Sequence, residues 1–237
     1  MAKPMKYHII AVLGIVGAVA VIALAITIMA GGSGRSLNRG EEMSRESKSF
    51  VEESFEIGDI QSISVSGVWK VSIRPGSGLI ELDAPREIIE YVKDNSGRTL
   101  NLGVPGGFRG FRGTPEAVVY LESLERISLE GAARIEMEDL DLDELIIDAE
   151  GAGSLEAENV TVNDLILNLE GASKIDFMDS SVVNARVDVE GAAEVDLMMG
   201  GGSLKGSLEG IGRIRYRGDV TEREFSIDGL GSINYLD

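Results

Sequence analysis

Residues 130–135 read Glu-Gly-Ala-Ala-Arg-Ile, 150–155 Glu-Gly-Ala-Gly-Ser-Leu, 170–175 Glu-Gly-Ala-Ser-Lys-Ile and 190–195 Glu-Gly-Ala-Ala-Glu-Val. Two relaxed copies follow, Glu-Gly-Ile-Gly-Arg-Ile from Glu209 and Asp-Gly-Leu-Gly-Ser-Ile from Asp228. The glycines Gly131, Gly151, Gly171, Gly191, Gly210 and Gly229 are spaced by 20, 20, 20, 19 and 19 residues. A fixed period of this size marks a repeat architecture. An earlier block, Ser66-Gly-Val-Trp-Lys-Val, has the same shape but falls outside the regular spacing.

Around each glycine, apolar residues alternate with polar ones. Ile127/Leu129, Ile147/Ala149, Leu167/Leu169 and Val187/Val189 come before it; Ile135/Met137, Leu155/Ala157, Ile175/Phe177 and Val195/Leu197 come after. Gly206/Leu208 and Phe225/Ile227, then Ile214/Tyr216 and Ile233/Tyr235, continue the pattern. A period of two is the mark of a strand with one buried face. A third short segment carries Leu140/Leu142 and Val160/Val162 and weakens to Val182. The glycine permits a sharp turn where a side chain would clash. Two or three short strands per twenty residues, in constant phase, predict an all-β β-solenoid in which each repeat is one coil. A single coil cannot bury its apolar face, so coils stack and share a narrow core. At ~4.8 Å per level, six coils are about 29 Å long. The rows Ala132, Ala152, Ala172 and Ala192 are expected beside the glycines, where little room exists. A β-sandwich would also show short strands, but it does not predict identical residue types at a fixed phase.

Residues 50–125 lack the period and read as a strand-rich N-terminal module that covers the first coil, with the solenoid proper at 126–237. Pro85 followed by R-E-I-I-E-Y-V-K-D-N predicts one short helix, with Pro near its start. Farther out, residues 9–30 are 22 residues without a charge. As a helix they are ~33 Å long, enough for a hydrocarbon core of ~30 Å. A cleaved signal peptide has a shorter apolar region and small residues before the cut, and Ile28 fits that pattern poorly. The segment is therefore read as a single N-terminal transmembrane helix, an uncleaved signal anchor contacting the lipid bilayer, preceded by a short tail at 1–8. Basic residues flank both ends, so charge alone does not orient it. The long acidic domain is expected outside the cytoplasmic membrane. Residues 31–49 read as a flexible linker, roughly 24 Å in root-mean-square span.

Composition removes several functions. The chain has 40 acidic and 22 basic residues, a net charge of −18, no Cys and one His, His8. Without Cys there is no disulfide framework, thiol nucleophile or Cys-ligated metal. With no His in the main body, the commonest general base and metal ligand is missing there. Nucleic acid needs a basic surface and is excluded as a partner. No catalytic residues and no cofactor are predicted.

F-E-I-G-D-I-Q-S-I-S-V-S-G-V-W-K-V-S-I-R-P-G, I-I-E-Y-V-K-D-N-S-G-R-T-L-N-L, and the E-G-A-x-x-I blocks ending in G-L-G-S-I-N-Y resemble the putative auto-transporter adhesin head GIN domain family, over roughly residues 53–235. The usual family block is S-G-A-S-x-[IVL]; here Glu or Asp replaces the Ser before Gly. The resemblance implies a bacterial cell-envelope protein with a right-handed parallel β-helix. It brings no catalytic residues with it.

The remaining candidates are surface features. Glu130, Glu150, Glu170, Glu190, Glu209 and Asp228 form one predicted acidic ladder, and Glu136, Glu156, Asp176 and Asp196 a second, broken by Arg215 and Asn234. Calcium takes several carboxylate oxygens, so Ca²⁺ binding is one reading and a solvated charged face the other. Two carboxylates ~4.8 Å apart repel by only about 0.9 kcal/mol in water, which needs no metal. The motifs of calcium loops and nonapeptide rolls are missing. G-G-F-R-G-F-R-G at 106–113 reads as a mobile connection, and Arg213, Arg215 and Arg217 as partners of neighbouring acids. Asn159-Val-Thr161 matches a glycosylation sequon, and Trp69 reads as core packing. The leading expectation is a non-enzymatic, membrane-anchored protein for adhesion, scaffolding or binding of a protein or glycan. The alternatives are a polysaccharide-acting enzyme and an envelope regulatory or stress-sensing module. The open end of the stack could be held off by charge or serve as a homo-oligomer contact.

Overall fold

The computed structural model describes residues 49–94, 97–106 and 111–237. The predicted anchor at 9–30, its tail, the linker up to residue 48, and Phe108 and Arg109 of the Gly-rich stretch lie outside the described residues. No helix among the described residues is long and apolar enough to cross a membrane.

The fold is all-β with one short helix. Its elements are β1 (Phe50–Glu56), β2 (Ser62–Pro75), β3 (Leu79–Pro85), α1 (Arg86–Lys93), β4 (Thr99–Leu102), β5 (Glu116–Leu121), β6 (Arg126–Glu138), β7 (Asp141–Gly200), β8 (Ser203–Asp219) and β9 (Glu222–Tyr235). All strands share one sheet in the order β1-β3-β5-β2-β6-β7-β8-β9, with β4 beside β2. The sheet is open: β1 and β9 are its two ends and do not pair.

From β2 onward the pairing is parallel and in register. Gly67 faces Gly131, Gly131 faces Gly151, Gly191 faces Gly210 and Gly210 faces Gly229. Within the sixty-residue β7 the chain returns beside itself: a Cβ on Gly171 would lie 2.3 Å from the Gly151 carbonyl oxygen, and one on Gly191 2.4 Å from that of Gly171. The twenty-residue period read from sequence is thus the distance between hydrogen-bonded neighbours. These glycines hold φ between +109° and +152° across the six repeats, a region that side-chain-bearing residues avoid.

The alternation puts the predicted rows inside. Ile135, Leu155, Ile175, Val195 and Ile214 are all buried, Ile175 at 3% exposure. Leu140, Leu142, Val160, Val162 and Val182 are buried as well. A further row, Leu145, Leu165, Ala185 and Leu204, is also buried and was not singled out in the sequence. Each large aliphatic side chain moved from water to such a core contributes about 1.5–3 kcal/mol.

Two expectations are corrected. The Ser66 block lies in register with the repeats: β2 is the first level of the parallel stack, paired with β6 from Ser62 to Ile73. The 64 residues from Gly67 to Gly131 hide that register because β3, α1, β4 and β5 are inserted between them. β4 lies along Ser62–Val65 and β5 along Lys70–Pro75, so the level beyond β2 is built from two pieces. Val104, just after β4, lies beside Gly67, 3.7 Å from where its Cβ would be. Strands of the 50–125 segment and of the repeats therefore share one sheet.

The second correction concerns the alanine row. Ala132, Ala152, Ala172 and Ala192 are only half-buried. The inward column is one residue later: Trp69, Ala133, Gly153, Ser173, Ala193, Gly212 and Gly231. Leucines fill the space its glycines leave, since a Cβ on Gly153 would sit 3.2 Å from Leu129 Cδ1 and one on Gly212 3.1 Å from Leu208 Cδ1. Trp69 is fully buried, as expected for core packing. Ser173 is 1% exposed and its hydroxyl has no hydrogen-bond partner. A buried, unsatisfied hydroxyl costs about 1–3 kcal/mol, and the same column carries Ala193 on the next level and Ala133 two levels before. Ser173→Ala is therefore expected to raise stability by roughly 1 kcal/mol, read as a higher urea midpoint with an unchanged slope.

Helix α1 follows the prediction. Pro85 caps its start, Glu87 lies in the first turn and Lys93 in the last, each placed favourably for the helix dipole. Ile88, Ile89 and Val92 face inward. Lys93 pairs with Glu53 and sits 5.3 Å from the Phe55 ring centre, which ties the helix to β1.

Candidate functional site

The outward residues of the parallel levels form columns, because in-register pairing repeats each side chain ~4.8 Å along the stack. Glu130 faces Glu150, Glu190 faces Glu209 and Glu209 faces Asp228. All six members of this ladder, Glu150 and Glu170 included, are exposed. Each immediately precedes a turning glycine, so the ladder runs along a corner. No three acids among the described residues converge closely enough to hold a metal ion. The geometry is a line of solvated charges.

The second ladder differs because basic residues enter it. Arg134 Nε lies 3.0 Å from Glu136 and its Nη2 3.5 Å from Glu156. Arg215 replaces an acid in the column and faces Asp196. Its Nε donates to Asp196 Oδ1 at 2.6 Å and its Nη2 to Glu194 at 2.7 Å. Hydrogen bonding to Asp196, opposed by partial burial and helped by the neighbouring acids, raises the Arg215 pKa above its ordinary value. The sequence reading of Arg215 as a partner of adjacent acids is what the structure shows. Asp196 is 3% exposed, so its carboxylate depends on that guanidinium. Arg215→Gln is expected to cost about 2 kcal/mol, less than a fully buried pair because Arg215 itself is partly exposed. Exposed Arg213 changed to Gln should cost under about 0.5 kcal/mol; urea melts of both variants make the comparison.

A third set of columns was missed in the sequence. Asn159 Nδ2 donates to Asp139 at 2.6 Å, Asn163 to Asp143 at 3.2 Å, Asn168 to Asp148 at 2.7 Å and Asn184 to Asp164 at 3.1 Å. Each amide comes one period after its acid. That recurrence of Asn twenty residues beyond Asp was the available signal. An amide donor satisfies a carboxylate without cancelling its charge, so the surface stays acidic while its levels are cross-linked. Asn159, of the sequon, and Asp139 both hold left-handed backbone, φ 54° and 58°, which Asn and Asp tolerate at corners.

A surface depression lies away from the ladders, on the antiparallel β1–β3–β5 part of the sheet. It is about 560 Å³ and is lined by Glu52, Glu53, Glu81, Asp83 and Glu116 beside Leu82 and Val118. Lys70 reaches Glu116 at 3.4 Å, and Lys93 pairs with Glu53. No thiol or imidazole lines it. Of the Gly-rich stretch, Phe111 packs against Phe50 with ring centres 6.2 Å apart.

No curated protein matches the chain. Solved structures do. A putative adhesin from Bacteroides fragilis NCTC 9343 is 16% identical, with a TM-score of 0.64 over 80% of this chain and 98% of its own. A putative adhesin from Parabacteroides merdae ATCC 43184 is 15% identical, with a TM-score of 0.42 over 80% and 97%. A putative lipid binding protein from Parabacteroides distasonis ATCC 8503 is 14% identical, with a TM-score of 0.42 over 80% and 97%. At these identities the first shows a shared fold. Residues 59–220 match the family described as putative auto-transporter adhesin, head GIN domain. With most of its length matched, including the turning glycines up to Gly210, this chain belongs to that family.

Proposed function

We propose that the chain is a membrane-anchored, extracytoplasmic, non-enzymatic protein that meets a protein or glycan partner at the cell envelope through its acidic outer surface. In this reading residues 9–30 span the membrane once, 31–49 are the tether, and the repeats wind as a right-handed parallel β-helix. The observation that carries it is the corner ladder from Glu130 to Asp228: six exposed acids in line, beside a core that supplies no imidazole or thiol. Such a surface suits recognition by complementary charge and does not suit general acid–base chemistry, which needs a group poised near neutral pH.

The test uses the full chain reconstituted in lipid vesicles, screened against arrays of glycans and envelope proteins. Retention is expected on a basic or cation-bridged partner. The triple variant Glu150→Lys, Glu170→Lys, Glu190→Lys should lose at least about tenfold in affinity while keeping its melting temperature. Millimolar Ca²⁺ should shift the melting temperature by less than about 1 °C, as expected without a site that binds only the folded state. A reporter enzyme fused after Asp237 should be active outside the cytoplasm. Cytoplasmic activity of the reporter, or release of product from an acidic polysaccharide, would contradict the reading.

A further inference from the structure

We infer that the outer edge of β9 is the contact surface for a second copy of this chain, joined end to end by antiparallel pairing of the two β9 strands about a two-fold axis at Leu230. One edge of β9 is paired with β8; the other has no strand among the described residues. The core is also open there. Leu208, Ile214 and Tyr216 on β8 are buried, whereas Ile227 and Tyr235, one level on, are 45% and 54% exposed. Leu230 is 44% exposed, and Phe225 and Ile233 are half-buried. An edge of fourteen residues with apolar side chains beside unpaired backbone groups is a template for strand addition.

Charge selects the occupant. The opposite end of the sheet presents β1, whose residues 50–56 carry Glu52, Glu53 and Glu56 and no base. β9 carries Glu222, Glu224 and Asp228 and one base, Arg223. Head-to-tail addition of β9 to β1 would join two strands with three acids each and leave free ends that grow into a filament. An antiparallel β9 pair leaves no such end, and it has a register in which no acid lies opposite an acid. Directly opposed residues in such a pair point to the same face, so inward side chains stay inward only in registers that match like with like. The register centred on Leu230 sets Phe225 opposite Tyr235 of the second copy and Ile227 opposite its Ile233. At the margin of the inward face Arg223, in the row of the buried Leu204, meets Asp237; outside, Asp228 meets Ser232 and Ser226 meets Asn234. No acid faces an acid. Moving the centre to Gly229 would waste Ile227 on Gly231 and place Tyr235 against Arg223. The pairing also brings the exposed Leu230 of each copy together on the axis. It closes both stacks at once, as an isologous interface does.

The natural chain has no Cys, so the test is direct. Leu230→Cys lies opposite its own copy, within the Cα separation of about 4.5–5.5 Å for opposed antiparallel residues and the range a disulfide accepts. Full chain carrying Leu230→Cys, in detergent at micromolar concentration with a mild copper oxidant, is expected to convert mostly to a covalent dimer. Val68→Cys, exposed on β2 and separated from β9 by β6, β7 and β8, should stay monomeric under the same conditions. In the natural sequence, Ile227→Glu should weaken dimerisation at least about tenfold by light scattering, with circular dichroism unchanged to show that it folds. A Leu230→Cys yield no greater than that of Val68→Cys would overturn the proposal. So would a 52–230 disulfide heterodimer outweighing the Leu230→Cys homodimer when the single variants Glu52→Cys and Leu230→Cys are mixed, which would report head-to-tail contact.

Discussion

Gly171→Ala is expected to lower stability by roughly 3–5 kcal/mol, from two costs that add. The first is conformational. Gly171 holds φ +109°, where a Cβ crowds the backbone, a strain of about 1–3 kcal/mol. The second is steric. The new methyl would sit 2.3 Å from the Gly151 carbonyl oxygen and 3.0 Å from its amide nitrogen. Both are backbone atoms of a hydrogen-bonded level and cannot rotate away, so levels must separate at a cost of about 1–3 kcal/mol. Gly58→Ala separates the two effects. Gly58 has φ +70° but nothing within 4 Å of its Cβ position, so only the strain of about 1 kcal/mol applies. Thermal melts should therefore fall by roughly 10 °C for Gly171→Ala and a few degrees for Gly58→Ala. Equal effects would mean that the close approach of the levels is not what demands glycine.

Phe177→Ala is expected to cost about 3–5 kcal/mol. Phe177 is fully buried and belongs to the row Met137, Ala157, Phe177, Leu197 and Tyr216. Met137 faces Ala157 and Leu197 faces Tyr216 in the paired levels. Ala157 precedes it by one period and Leu197 follows by one, and both are buried. Removing the ring opens a cavity, and the levels on either side are fixed by backbone hydrogen bonds, so little collapse can relieve it. Phe177→Leu keeps most of the volume and should cost less than about 1.5 kcal/mol. Denaturant midpoints measure both. A Phe177→Ala penalty near that of the Leu variant would show that this row is not close-packed.

Much of this architecture is written in local chemistry. The position of every turning glycine from Gly131 to Gly229, the inward rows around Ile135 and Ile175, and α1 from Arg86 to Lys93 could be read because each depends on neighbouring residues or on one fixed period. The acidic columns could be read for the same reason, since register alone stacks Glu130 on Glu150. What escaped depends on long-range pairing. Nothing near Gly67 announces that its partner is Gly131, because the intervening strands pair with each other and with β2. The antiparallel β1, β3 and β5 are equally silent, since alternation gives a buried face but no partner. The crowded column at Ala133 and Ser173 was assigned one residue too early, because the turn at glycine shifts which of two small residues points inward. Of the candidate surface, the Asp–Asn cross-links were visible in principle at a spacing of twenty, yet their amides draw no notice until the stacking direction is known.

Every inward row and every surface column depends on neighbouring repeats lying side by side, one period apart. Paired spin labels at Glu150→Cys and Glu170→Cys, in a chain otherwise free of cysteine, probe that directly by electron paramagnetic resonance. Strong dipolar broadening relative to the two single-label spectra is expected, because the labelled backbones are about 5 Å apart. A double-label spectrum equal to the sum of the singles would place the two repeats apart and contradict that arrangement.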